Sequence, residues 1–165
     1  MNLPARGLPL LGVLALLGSC EPNPAPERRD GGADVLRSTD GSKDFGDYIV
    51  YVNAIETDLV TPDVARQYGI VRSKNRAMLT VSIHRKQPDA LPTAVRGYIS
   101  ASAVNLTGQL KSLSLREIVE GDAIYYIGEF AIDDGETLMY TIDATPADEA
   151  SPLSLRFRRQ FYVDD

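Results

Sequence analysis

Short β-rich runs alternate with turn residues from about residue 44 onward, and helical periodicity is confined to one brief stretch. Together these predict an all-β fold, an immunoglobulin-like antiparallel β-sandwich of about seven strands with one short helix between the first two. The chain has one Cys and no Trp, so the Cys…Trp…Cys signature of antibody domains is absent and the architecture alone is meant.

The elements follow in chain order. Phe45–Ala54 is aromatic and β-branched, which suits a half-buried strand. Thr61 can cap a helix, Pro62 suits its first position and Gly69 its end, so Thr61–Tyr68 reads as the short helix, with Val64 and Tyr68 toward the domain. Ala77–His84 alternates, with Leu79, Val81 and Ile83 on one face and Met78, Thr80, Ser82 and His84 on the other. Val95–Val104 ends at the turn Asn105-Leu106-Thr107-Gly108. Leu110–Val119 and Ala123–Ile132 read as a hairpin about Glu120-Gly121-Asp122. Leu138–Ala144 places Leu138, Tyr140, Ile142 and Ala144 on one face, and Leu153–Val163 closes the chain.

Ahead of this domain lies a different texture. Residues 1–19 combine Arg6 with an apolar run from Leu8 to Leu17, too short to span a bilayer and of signal-peptide length. Leu17-Gly18-Ser19-Cys20 is similar to a bacterial lipobox, in which the Cys thiol takes up a diacylglyceryl group, so residues 1–19 read as a lipoprotein signal peptide and Cys20 as the lipidation site. The residue after Cys20 is Glu21 rather than aspartate, which points to the outer membrane, periplasmic face; a soluble periplasmic protein is the alternative. Residues 20–43 then form the lipidated cysteine and a Pro- and Gly-rich tether, reaching ~25 Å if flexible. The β-sandwich is expected over residues 44–165.

Composition narrows the function. With 17 Lys and Arg against 23 Asp and Glu the net charge is −6, which argues against nucleic acid as a partner. A single His and a single Cys exclude the common structural zinc sites, and no Gly-x-Ser-x-Gly elbow or phosphate-cradling loop is present. No catalytic residue, metal or cofactor is therefore expected. His84 sits on the polar strand face, where a solvent-facing strand end is the simplest reading.

Three features remain. The basic run Arg72, Lys74, Asn75 and Arg76 is a candidate binding surface for a small anionic ligand or an envelope protein, because Arg offers a planar donor fork and Lys a point charge. Glu117 and Arg159 interrupt apolar strand faces and are a candidate structural ion pair at the core's edge, with a bulge turning either one outward as the alternative. Carboxylates cluster at Glu117, Glu120 and Asp122 and again at Asp133, Asp134 and Glu136. Paired acids of the first cluster could serve a hydrolase of cell-wall sugar; the second has part of the composition of a calcium loop without its ligand spacing.

Several motifs also carry a family resemblance. Phe45-Gly46-Asp47-Tyr48, Tyr68-Gly69-Ile70 leading into Arg72–Arg76, and Asn105-Leu106-Thr107-Gly108-Gln109 resemble domain-of-unknown-function family 4426. So do Leu115-Arg116-Glu117-Ile118, Gly121-Asp122-Ala123-Ile124-Tyr125-Tyr126 and the closing Gln160-Phe161-Tyr162, in the same order over residues 44–164. The resemblance implies a small exported bacterial envelope protein with no assigned activity and no catalytic residues to carry over. Cys20 departs from the plain cleavable signal peptide of that family and implies anchoring instead. The expectation is a membrane-anchored lipoprotein acting as a non-catalytic binding or accessory module; the hydrolase and a purely structural subunit are the alternatives.

Overall fold

A computed structural model of the chain describes residues 35–36 and 41–163. The expected signal peptide, Cys20 and most of the expected tether lie outside the described residues. Two sheets pack face to face. The first has the order β1 (Val35–Leu36), β11 (Leu153–Gln160), β10 (Thr137–Pro146), β6 (Gly97–Asn105) and β7 (Leu110–Leu113). The second runs β2 (Ser42–Asp44), β3 (Tyr48–Glu56), β4 (Arg76–Gln87), β9 (Ala123–Ala131) and β8 (Arg116–Glu120), with β5 (Ala90–Val95) also on β4. Every pairing is antiparallel except that of β1 with β11.

Strand alternation puts the expected faces inside. Val50, Val52 and Ala54 of β3, Leu79, Val81 and Ile83 of β4, and Leu138, Tyr140 and Ile142 of β10 are all buried between the sheets. Burying each larger side chain of this kind is worth roughly 1.5–3 kcal/mol. Phe130 meets Tyr140 and Phe161 edge-on, with ring centroids 5.9 and 6.2 Å away.

Among the described residues there are eleven strands rather than about seven, for local reasons. β1 and β2 are short edge strands at Val35–Leu36 and Ser42–Asp44, inside the stretch expected to be tether. β5 lies just ahead of the expected Val95–Val104 strand and pairs with the far half of β4. The expected strand Leu110–Val119 divides at Ser114-Leu115, because β7 belongs to the first sheet and β8 to the second. Gly128 makes that crossing possible: a Cβ there would stand 2.8 Å from the Ser114 carbonyl oxygen and 2.7 Å from Leu115 Cδ2.

A second, smaller core covers part of the second sheet's outer face. It contains Val60, Ala65, Ile70, Met78 and Ile127, and it is roofed by helix α1 (Pro62–Tyr68) after a 3-10 turn at Thr57–Leu59. Gly69 ends the helix at φ +63°, and the Ile70 N–H returns to the Ala65 carbonyl at 2.8 Å. Ala65 turns to the sheet, whereas Val64, expected to face the domain, is 41% exposed because it lies one residue round the helix.

Candidate functional site

At one end of the sandwich the basic loop is knitted into its surroundings. Thr57 is fully buried, and its hydroxyl accepts the Ser73 N–H at 3.0 Å while its own proton has two carbonyls in reach, Val71 at 2.9 Å and Ser73 at 3.1 Å. Arg72 donates to the Asp58 carbonyl at 2.6 Å, and Arg76 lies 3.6 Å from the Glu129 carboxylate. The Asn75 carbonyl accepts from the Ile132 N–H at 3.0 Å. Lys74 helps line a depression of about 420 Å³ with Glu56, Asp58, Leu59 and Tyr162. Of the four residues read as a binding surface, Arg72 thus bonds to the protein itself, and Arg76 is turned toward Glu129 with its Nε buried and unpaired.

The acids after β9 are also committed to structure. Glu136 is 9% exposed and accepts from Lys111, from the Asp133 N–H at 3.1 Å and from Asn105 Nδ2 at 3.1 Å. Burial alone would raise its pKa, but the bonds from Lys111, Asp133 and Asn105 together hold it below the ordinary 4.5. Asp134 accepts from the Val163 N–H at 2.9 Å. Among the described residues no three His, Cys, Asp or Glu side chains converge as a metal would require.

Glu117 and Arg159 do not form the expected pair. Glu117 accepts from Arg96 Nε at 3.2 Å and from the Tyr126 hydroxyl at 3.0 Å, and that same Tyr126 oxygen accepts the Gly97 N–H at 2.9 Å. The polar chain stitches β8 and β9 of one sheet to the start of β6 in the other, so the charge near the core's edge has two partners. Burial raises the Tyr126 pKa, the Gly97 bond opposes this, and Glu117 adds to it. Arg159 stands in the first sheet opposite Leu138, among different neighbours. It acts there on Tyr140, whose hydroxyl is buried without a partner, as is Arg159 Nε. Burial raises the Tyr140 pKa, the charges of Glu136 and Glu56 add to the rise, and Arg159 opposes it.

The uncommitted polar groups lie elsewhere, on the outer face of β3, β4 and β9. Tyr51 stands opposite Ser82, and Asn53 opposite Thr80. Tyr125 stands opposite Ile118, where β8 borders β9. Tyr51 and Tyr125 are each 39% exposed. Asn53, Thr80, Ser82 and the two tyrosine hydroxyls make no side-chain hydrogen bond to another described residue. His84 meets the Tyr51 ring edge-on, with centroids 4.8 Å apart. Three depressions adjoin here: about 190 Å³ beside the helix, about 390 Å³ over Tyr51, Asn53 and Ser82, and about 610 Å³ between β5 and the β8–β9 hairpin. Glu120 lines the first and Asp122 the last, while Glu117, expected to work with one or the other as an acid pair, lines neither and bonds to Arg96 and Tyr126.

A family model for a domain of unknown function, DUF4426, matches residues 42–164. The chain belongs to the DUF4426 family. A DUF4426 family protein from Pseudomonas aeruginosa PAO1 is 30% identical, with a TM-score of 0.65 and alignment over 75% of this chain and 95% of that one. FetP of uropathogenic Escherichia coli strain F11, expressed in the periplasm of E. coli, is 12% identical at a TM-score of 0.55, covering 75% and 94% of the two chains. A copper-bound variant of FetP is 13% identical at 0.51, covering 75% and 90%. At these identities the DUF4426 chain shares the fold of FetP, and copper is a property of FetP. No curated protein matches the sequence.

The residues of the sheet face were not singled out by their sequence pattern. A signal for them exists in the polar side of Ala77–His84 and in the tyrosines of Phe45–Ala54 and Ala123–Ile132. What it lacks is the tertiary fact that α1 and β8 together border one depression on that face and β5 with the β8–β9 hairpin another.

Proposed function

We propose that the protein is a non-catalytic binding module of the bacterial cell envelope, held at the membrane surface by a lipid on Cys20, and that it meets its partner through the outer face of β3, β4 and β9. The carrying observation is the contrast in hydrogen bonding. In the basic loop Arg72 donates to the Asp58 carbonyl and Arg76 pairs with Glu129, whereas Tyr51, Asn53, Thr80 and Tyr125 present donors and acceptors without side-chain partners on a surface stiffened by three strands. The anchor rests on the sequence Leu17-Gly18-Ser19-Cys20; none of the described helices is long and apolar enough to cross a membrane.

Crosslinking in the native envelope tests both parts. Tyr51→Ala with Tyr125→Ala is expected to abolish the captured species, and Lys74→Glu to leave it; the opposite pattern would return the binding role to the basic loop. Cys20→Ala is expected to move the protein from the membrane fraction to the soluble fraction. Retention in the membrane would remove the lipid from the account.

A further inference from the structure

Resting on that reading of the sheet face, we infer that the ligand is a glycan strand of N-acetylated hexosamines, lying along the groove and seating an acetamido group in the apolar depression beside the helix. Shape carries the first step. The depressions of about 190 and 390 Å³ share Thr80 and Tyr125, and the third joins through His84, which touches Tyr51 of the second. A run of that kind suits a chain of units rather than one small molecule.

Charge carries the second step. The middle of the groove, formed by Tyr51, Asn53, Thr80, Ser82 and Tyr125, has no formal charge. A polyanion would require Lys or Arg there, and an amphipathic helix would require a continuous apolar floor. Half-exposed tyrosine rings beside an amide and two hydroxyls suit instead a ligand that has both apolar C–H faces and hydroxyl groups able to donate and accept.

The apolar end supplies the third step. Val64, Ile70, Met78, Ile118 and Ile127 line an open depression of about 190 Å³, and that apolar lining suits an apolar substituent of a sugar better than its hydroxyls. At its rim the Tyr68 hydroxyl donates to Glu120 Oε2, which leaves Oε1 of that carboxylate to accept an amide N–H. A methyl group in the depression with a neighbouring N–H at Glu120 is the outline of an acetamido group. Plain hydroxyl sugars would leave the apolar end unfilled.

Isothermal titration of the purified full chain with a tetramer of N-acetylglucosamine, and with the glucose tetramer of the same linkage, tests this. The acetylated tetramer is expected to bind at least tenfold more tightly. Tyr51→Ala and Tyr125→Ala should each weaken it at least tenfold while the thermal unfolding midpoint stays in place. Val64→Phe, which fills the depression from a partly exposed helix position, should erase the preference for the acetylated chain. No saturable binding of either tetramer, equal binding of both, or binding indifferent to the two tyrosines would overturn the inference. If the tetramers fail while envelope crosslinking still depends on Tyr51 and Tyr125, the ligand class falls and the binding face stands.

Discussion

The Arg72–Arg76 loop and the Tyr51–Tyr125 sheet face hold the most conspicuous polar side chains of the domain, and they use them in opposite ways. In the loop, polar groups are turned inward, by hydrogen bonds onto Thr57 and Asp58 and by the ion pair of Arg76 with Glu129. On the sheet face the strands are already held by their backbone ladders, and the side chains of Asn53 and Thr80 add no hydrogen bond to them. A basic run attracts notice as a binding surface because its charge is visible in sequence. The comparison shows that charge density says little about availability: a group already paired within the fold would have to break that pairing before it could bind anything else.

The contrast is broken most forcefully at the loop end, by Glu136→Gln. It removes the acceptor charge facing the half-buried Lys111, and hydrogen bonds to charged groups of this kind contribute about 1.5–3 kcal/mol. Because the folded-state pKa of Glu136 is lowered, its contribution is fully present above its unfolded value of 4.5 and is lost as pH falls through the lowered folded value. Urea midpoints for the native protein and the variant should therefore differ clearly at pH 7 and draw together as the pH is taken progressively below 4.5. A gap that stayed constant throughout the acid range would mean that packing, not the carboxylate charge, holds this turn.

Thr57→Val comes next. The substitution keeps the volume and removes the hydroxyl, leaving the Ser73 N–H and a carbonyl unpaired in a buried place, at a cost of about 1–3 kcal/mol. Denaturant unfolding measures it, and ligand binding at the sheet face should be untouched. Tyr126→Phe should be milder, about 1 kcal/mol, because Glu117 keeps Arg96 as a partner while the Gly97 N–H loses its acceptor. A loss as large as that of Thr57→Val would show that the stitch between the sheets matters more than the loop's anchorage.

These residues also mark where the sequence was legible. Leu79, Val81 and Ile83 declared their face by alternation, and Pro62 and Gly69 declared the helix by chemistry that acts within a turn, although Thr61 stands at its N-cap without a side-chain bond. Both signals are local. The break at Ser114-Leu115 was not legible, since it depends on Gly128, fourteen residues from Ser114, clearing space for the crossing. Glu117 and Arg159 were visible as charges on apolar faces, but their partners were set by sheet order, which put Arg96 and Tyr126 beside the one and Tyr140 beside the other. The depressions of the sheet face have the same origin: α1, β5 and the β8–β9 hairpin line them, and their strand residues look in sequence like any solvated strand side.

The smallest effect on stability is the most informative one. Asn53 is exposed, pairs with Thr80 through the backbone and makes no side-chain bond to a described residue, so Asn53→Ala should change the unfolding free energy by no more than about 0.5 kcal/mol. Thermal unfolding of the two proteins would give superimposable curves. If the amide is held for binding, the same substitution should still weaken crosslinked capture in the envelope several-fold, a loss with no counterpart in stability. A variant that unfolds early would instead place Asn53 with Thr57 and Glu136, among side chains that hold the fold together, and the distinction between the two regions would disappear at that position.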